Sequence, residues 1–182
     1  MSESMKIHNS LIEVVKGDVT LLEVDAFVFY ARHDLQLGSG FGTAVSLRGG
    51  PSIQEELDEL APVKTSQVVI TGAGKLTADF ILHAVGPRFQ EEDQGHKLRT
   101  TVLKCLRRAE VKGISSLAFP AMGTGFYGVP LELSAETTIR AIRDYLSLNT
   151  KIKRVVLCML DNREYGPFAA QLAMQAAAGA PA

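Results

Sequence analysis

The residues best suited to chemistry in this chain are glycines, in two loops that each follow an apolar stretch. The first, Leu37-Gly38-Ser39-Gly40-Phe41-Gly42, leads straight into a helical pattern. Closely spaced backbone N–H groups at the positive end of a helix make a seat for an anion such as phosphate. The second, Ala121-Met122-Gly123-Thr124-Gly125-Phe126-Tyr127-Gly128, follows Ser116-Leu117-Ala118-Phe119-Pro120 and enters another helix through Val129-Pro130. Glycine lets backbone approach a ligand closely, and open α/β sheets bind ligands at the carboxyl ends of their strands. Two phosphate cradles in one fold point to a diphosphate; the competing reading of either loop is a tight turn. The first loop lacks G-x-x-x-x-G-K-[ST], and its glycines are too evenly spaced for G-x-G-x-x-G, which argues against both common nucleotide signatures.

Other reactive side chains are scattered. No His, Cys and Asp set has zinc-ligand spacing, so neither a metal nor a cofactor is expected. No Ser or Cys sits in a nucleophile elbow or beside a recognisable base, which leaves covalent catalysis without support. His83 lies in an apolar stretch and reads as a satisfied core imidazole, whereas His8 and His96 fall in surface segments. Cys105 and Cys158 read as buried free thiols, the usage of a reducing compartment.

The elements that must position the loops alternate along the chain. Strand-like runs cover residues 11–16, 26–30, 67–71, 80–85, 116–119 and 154–160, and helical patterns cover 42–47, 52–60, 97–111, 131–146 and 163–177. In 97–111, Leu98, Val102, Cys105, Leu106 and Ala109 share one face, as in a helix lying on a sheet. Near-continuous apolar strands such as Val155-Val156-Leu157-Cys158-Met159-Leu160 need cover on both faces, which a three-layer α/β/α sandwich supplies. One domain over 1–182 is expected, with its core in about 5–175. Residues 1–4 and the Ala/Gly/Pro tail from Ala176 read as frayed.

Composition narrows the function. With 46% hydrophobic residues the chain can bury a core, and 19 Lys+Arg against 20 Asp+Glu leave a formal charge of −1. Such a balance does not make a general polyanion binder, so any phosphate recognition must be local. The longest apolar runs, such as residues 26–31, fall far short of the roughly 20 residues that span a bilayer. No signal-like stretch opens the sequence, so no membrane partner and a cytoplasmic location are expected.

From about Ile12 to Phe168 the sequence resembles the macrodomain family, the ADP-ribose-binding α/β/α module. The resemblance rests on Gly17-Asp18-Val19-Thr20, Val24-Asp25-Ala26-Phe27-Val28, the first glycine loop, Gly49-Gly50-Pro51, Phe80-Ile81-Leu82-His83-Ala84-Val85-Gly86-Pro87, the second glycine loop, and Leu160-Asp161-Asn162. It implies a mixed, mostly parallel sheet in the sandwich. It also implies that Asp18 accepts from the adenine amino group, with Val19 lending an N–H and an apolar wall; the alternative for Asp18 is a turn or N-cap. Gly38, Ser39, Gly40 and Phe41 then match the loop around the diphosphate and distal ribose. Gly123, Thr124, Gly125, Phe126 and Tyr127 match the opposing phosphate loop, with core packing as the alternative for the two aromatics.

Departures from the family fall on its catalytic side. Where hydrolytic members carry Asn-Ala-Ala-Asn this sequence has Phe29-Tyr30-Ala31-Arg32, and an arginine cannot act as a base. Gly42 occupies the position of the aspartate used by MacroD-type hydrolases. His33 and Asp34 are the nearby titratable replacements, with loop capping or solvation as their alternative. Leu160 stands where many members stack an aromatic on adenine. Gly49-Gly50 with Gln54-Glu55-Glu56 is similar to a poly(ADP-ribose) glycohydrolase signature, but its glycine spacing is too short, and residues 54–59 read as a solvated helix face.

The leading expectation is therefore a binder of ADP-ribose or ADP-ribosylated protein with little turnover. A second is a hydrolase of ADP-ribosylated protein or ADP-ribose phosphate, using water activated by the ligand's own phosphate. A third is a macrodomain-like scaffold with a changed ligand, another nucleotide or nucleic acid. The sequence does not specify an oligomeric state.

Overall fold

Strands without a polar alternation cannot leave a face in water, and here they assemble into one sheet covered on both sides. The computed structural model describes residues 3–179. Its strands are β1 (Glu3–Ile7), β2 (Ser10–Lys16), β3 (Ala26–Tyr30), β4 (Gln67–Gly72), β5 (Phe80–Val85), β6 (Ser116–Phe119) and β7 (Arg154–Met159). They lie in the order β1-β2-β7-β6-β3-β5-β4. The inner pairs β2–β7, β7–β6, β6–β3 and β3–β5 are parallel, and the two edges β1 and β4 are antiparallel to their neighbours.

Period-two geometry sorts each inner strand between two cores. Val155, Leu157 and Met159 of β7 and Val28 and Tyr30 of β3 face one side, where α3 (Gln94–Lys112), α4 (Leu131–Leu146) and α5 (Asn162–Ala177) pack through Leu98, Leu106, Ile139 and Phe168. Val156, Cys158, Phe27 and Phe29 face the other, covered by α1 (Phe41–Gly49) and α2 (Ser52–Leu60) through Val45, Ile53 and Leu57. This is the expected three-layer α/β/α sandwich. Burying each such aliphatic side chain contributes on the order of 1.5–3 kcal/mol.

Three details differ from the sequence reading. Glu3 and Ser4, expected to fray, belong to β1, which pairs with β2 from Glu3↔Val14 to Ile7↔Ser10. As an edge strand it is exposed except near its end, so it carries little apolar signal. Helix α3 begins three residues early, after Asp93 in the left-handed region, and Ala176 and Ala177, expected to fray, are the last residues of α5, whose end agrees with the helical pattern read to 177. Met1, Ser2 and residues 180–182 lie outside the described residues.

His83 is the expected core imidazole, but only one of its nitrogens is satisfied. It is fully buried with Nε2 2.8 Å from Thr71 Oγ1, while Nδ1 has no partner among the described residues. Burial pushes its pKa down to about 3 and keeps the ring neutral.

Candidate functional site

Four adjacent parallel strands, β2, β7, β6 and β3, end on the same edge of the sheet, and the segments leaving them line one cleft of about 540 Å³. Gly17 and Asp18 follow β2, Cys158 and Leu160 close β7, Pro120 and Ala121 follow β6, and Phe29 and Tyr30 end β3. Three strand spacings set the span from the first wall to the last at roughly 14 Å.

At the β2 end Asp18 caps a 3-10 turn over Val19–Leu21, its Oδ1 accepting from the Thr20 N–H at 2.9 Å and the Thr20 hydroxyl at 2.6 Å. Its Oδ2 is paired with the Arg48 guanidinium from the last turn of α1. Burial alone would raise this carboxyl, but the bonds from Thr20 and Arg48 outweigh it and hold it below the usual range. Asp18 is thus an N-cap and also part of the cleft wall, beside the buried Val19. Leu160 lies 70% exposed on the rim. Next to it Glu164 lines the cleft while its Oε2 accepts from the Leu160 N–H at 2.9 Å, and Asp161 caps α5 by accepting from the Glu164 N–H at 3.0 Å.

The first glycine loop supplies Ser39, Gly40, Phe41 and Gly42 to the lining, whereas Gly38, with φ 63°, is not part of it. Gly40 is the N-cap of α1 with φ 65°, a conformation that favours glycine, and no side chain caps this helix start. The Thr43 N–H is taken by the Gly40 carbonyl at 3.1 Å, which leaves the N–H groups of Phe41 and Gly42, both lining the cleft, without a side-chain cap. Gln54 of α2 clamps the loop: its Oε1 accepts from the Leu37 N–H at 3.0 Å and its Nε2 donates to the Leu35 carbonyl at 3.2 Å. This corrects the reading of Gln54 as part of a solvated face, because the loop's main chain needs those partners. Phe29, at the first altered position, stacks on Phe41 at 5.6 Å and braces it.

The second loop brings Gly123, Thr124, Phe126 and Tyr127 to the opposite wall, with Gly125 outside the lining. It is tied by Ser134 Oγ donating to the Met122 carbonyl at 2.7 Å and by Val129 N–H donating to the Gly123 carbonyl at 2.9 Å. A side chain on Gly123 would meet Val129 Cγ2 at 2.6 Å and the Tyr30 ring at 3.1 Å, so that loop cannot be built closely without glycine there. Tyr127 is half-buried on Tyr30, with ring centres 4.7 Å apart, and Tyr30 donates to the Pro87 carbonyl at 2.6 Å. Burial raises both phenol pKa values, which keeps them hydrogen-bond donors. Phe126 is 91% exposed, so it is not a core aromatic.

At the β3 end Arg32 lines the cleft and forks onto Asp34, Nε to Oδ1 at 3.1 Å and Nη2 to Oδ2 at 2.7 Å. Asp34 Oδ1 also accepts from the Gln36 N–H. Slight burial would raise the Asp34 carboxyl, but these bonds lower it. His33 lies with Nε2 3.4 Å from Thr65 Oγ1. Both His33 and Asp34 border a neighbouring cavity and not the main cleft. No imidazole lines that cleft among the described residues, and none of their His, Cys, Asp and Glu side chains form a cluster able to hold a metal ion.

Sequence reasoning missed Arg48, Gln54, Glu164 and the exposure of Cys158 to the cleft. Only Glu164 carried a legible signal, the Asp161-x-x-Glu164 cap spacing. No described helix is long and apolar enough to cross a membrane.

Comparison with known proteins gives a consistent set of matches. The Macro domain family model matches residues 31–138. A macro domain-containing protein of Caldanaerobacter subterraneus subsp. tengcongensis is 35% identical over 85% of this chain and 91% of its own length. An O-acetyl-ADP-ribose deacetylase of an Enterobacter species is 36% identical over 82% of this chain and 87% of its own. The solved Oceanobacillus iheyensis macrodomain, as a mutant with ADPR, matches with a TM-score of 0.92 and 27% identity, covering 96% of this chain and 98% of that one.

Proposed function

The chain belongs to the macro domain family, and from that membership we propose that it binds ADP-ribose, free or carried on protein, with little turnover. The observation that carries this is a single cleft walled at once by Asp18 and by both glycine loops. Asp18 and Val19 take adenine, the start of α1 and the loop around Gly123 hold the diphosphate between them, and the distal ribose lies toward Arg32. The volume of about 540 Å³ lies within the usual range of small-ligand sites. A related macrodomain has been solved with ADPR, which supports the ligand class.

Low turnover follows from the β3 end. A general base must reach the water it activates. Arg32 is cationic and already forked onto Asp34, Tyr127 keeps its proton, and His33 opens elsewhere. Titration calorimetry with ADP-ribose, AMP and NAD tests the reading. Micromolar binding of ADP-ribose, near −8 kcal/mol, with AMP much weaker, is expected. No heat from any of the three would overturn it and favour a changed ligand.

A second reading is hydrolysis of an ADP-ribosyl derivative by water activated by the ligand's phosphate. It is favoured by the relative named O-acetyl-ADP-ribose deacetylase. Single-turnover assays on O-acetyl-ADP-ribose, ADP-ribose phosphate and ADP-ribosylated protein distinguish it: release of product with one enzyme equivalent makes the protein an enzyme.

A further inference from the structure

The order of strands decides what a ligand lays over each part of the cleft. β7 stands between β2, whose end leads into Asp18, and β6, whose end leads into the loop around Gly123. A dinucleotide-like ligand with its base at Asp18 and its diphosphate at that loop therefore lays the ribose that joins them across the end of β7. There the cleft is lined by Cys158, Leu160 and, from the first turn of α5, Glu164. A thiol and an aliphatic side chain offer a ribose hydroxyl little, so the strong acceptor at this place is the Glu164 carboxylate.

Glu164 is held in place and half unused. Its Oε2 accepts from the Leu160 N–H at 2.9 Å, while its Oε1 has no hydrogen-bond partner and the carboxylate no ion pair among the described residues. Lys16, at the end of β2, donates to Asn162 Oδ1 at 2.7 Å, and Arg48 is committed to Asp18 and Thr20. Neither of these cations lines the cleft, and the exposed Arg163 does not either. Of the three charged side chains that do, Asp18 and Glu164 stand at this end, and Arg32 stands two strand spacings from β7, roughly 10 Å away. The Cys158 thiol senses the same field, since Asp18 and Glu164 both add to burial in raising its pKa.

Resting on the ADP-ribose reading above, we infer that Glu164 sets specificity at the ribose next to the base: it accepts from that sugar's free hydroxyls and rejects a phosphate on them. The cleft then takes the ADP-ribose that derives from NAD and refuses the 2′-phosphorylated form that derives from NADP. A carboxylate on the ribose hydroxyls is also how dinucleotide sites on an unrelated fold prefer NAD, whereas an arginine there accommodates the 2′-phosphate. A phosphomonoester brings about −1.5 to −2 charge at pH 7, and a like charge already fixed in the site without a counter-ion turns that into discrimination.

Calorimetry with ADP-ribose and 2′-phospho-ADP-ribose tests it on the wild-type protein first. ADP-ribose is expected to bind at least about thirtyfold tighter, with the gap narrowing as added salt screens the repulsion. Glu164→Gln keeps an acceptor for the Leu160 N–H and removes the charge, so the two ligands should move in opposite directions. ADP-ribose should weaken by a few fold and the 2′-phosphate should tighten, which brings the ratio to about fivefold or less. Equal affinity of the wild-type protein for both ligands, or a Gln variant that binds ADP-ribose with the wild-type ratio, overturns the inference and leaves the ADP-ribose reading standing. Failure of the wild-type protein to bind either ligand overturns that reading and the inference with it.

Discussion

Leu37 and Gly42 meet backbone to backbone: a β-carbon on Gly42 would lie 1.7 Å from the Leu37 carbonyl oxygen and 2.5 Å from its carbon. Gly42, the position that the family resemblance aligns with an aspartate of MacroD-type hydrolases, has no room for any side chain while α1 starts where it does. Gly42→Asp is expected to lower stability by about 1–3 kcal/mol, the range for forcing atoms into packed structure, and to create no hydrolysis. Denaturant midpoints and a product assay check both parts. Wild-type stability in this variant would mean that the loop yields easily.

Asp18→Asn should weaken ADP-ribose binding by roughly tenfold or more, the scale of a lost hydrogen bond to a charged acceptor. Arg48→Met leaves the carboxylate in place and should cost much less affinity. Equal losses in calorimetry would mean that Asp18 acts through the turn it caps.

Cys158 is 4% exposed yet lines the cleft, and burial, with Asp18 and Glu164 nearby, pushes its thiol up to about 11. The thiolate is the reactive form, so alkylation by iodoacetamide should be slow at neutral pH and accelerate toward alkaline pH. Saturating ADP-ribose should protect it. Mass spectrometry of the modified peptide reads this directly, and Cys105, fully buried away from the cleft, supplies the control.

Asp25 ties the start of β6 to β3, its Oδ2 accepting from the Ser115 N–H at 2.8 Å and the Ser116 N–H at 3.1 Å. Burial raises its pKa, but these bonds and the serine hydroxyls outweigh that and lower it from 3.8. A lowered folded pKa gives stability that is fully present above the unfolded value and is lost as pH falls through the folded one. Urea midpoints should therefore drop in the acid range, more shallowly for Asp25→Asn. Identical acid limbs would remove Asp25 from the account.

The strands and the layers were legible because parallel strands buried on both faces write themselves as unbroken apolar runs, as in Val155 to Met159. β1 was not, because an edge strand with Glu3, Ser4 and Lys6 has little to bury. In the site, glycine spacing marked both loops, and the Gly17-Asp18-Val19-Thr20 match placed Asp18 at the end of β2. Gln54 stayed hidden because its partners are main-chain atoms of Leu35 and Leu37, which no side-chain pattern reports. Arg48 depends on where α1 ends relative to β2, a relation between segments 30 residues apart.

The parallel pairing of β2 with β7 sets an order of events during synthesis. Ser10 Oγ donates to the Ile152 carbonyl across 142 positions of chain, so β2 must wait for nearly the whole sequence before it finds that neighbour. Translation at about 5–20 residues per second makes that a delay of many seconds. The β3–β5–β4 side of the sheet can assemble while the ribosome is still working, and the wall that carries Asp18 closes last. A nascent chain therefore has no complete cleft until β7 emerges, and any ligand of the cleft can favour only that last docking step.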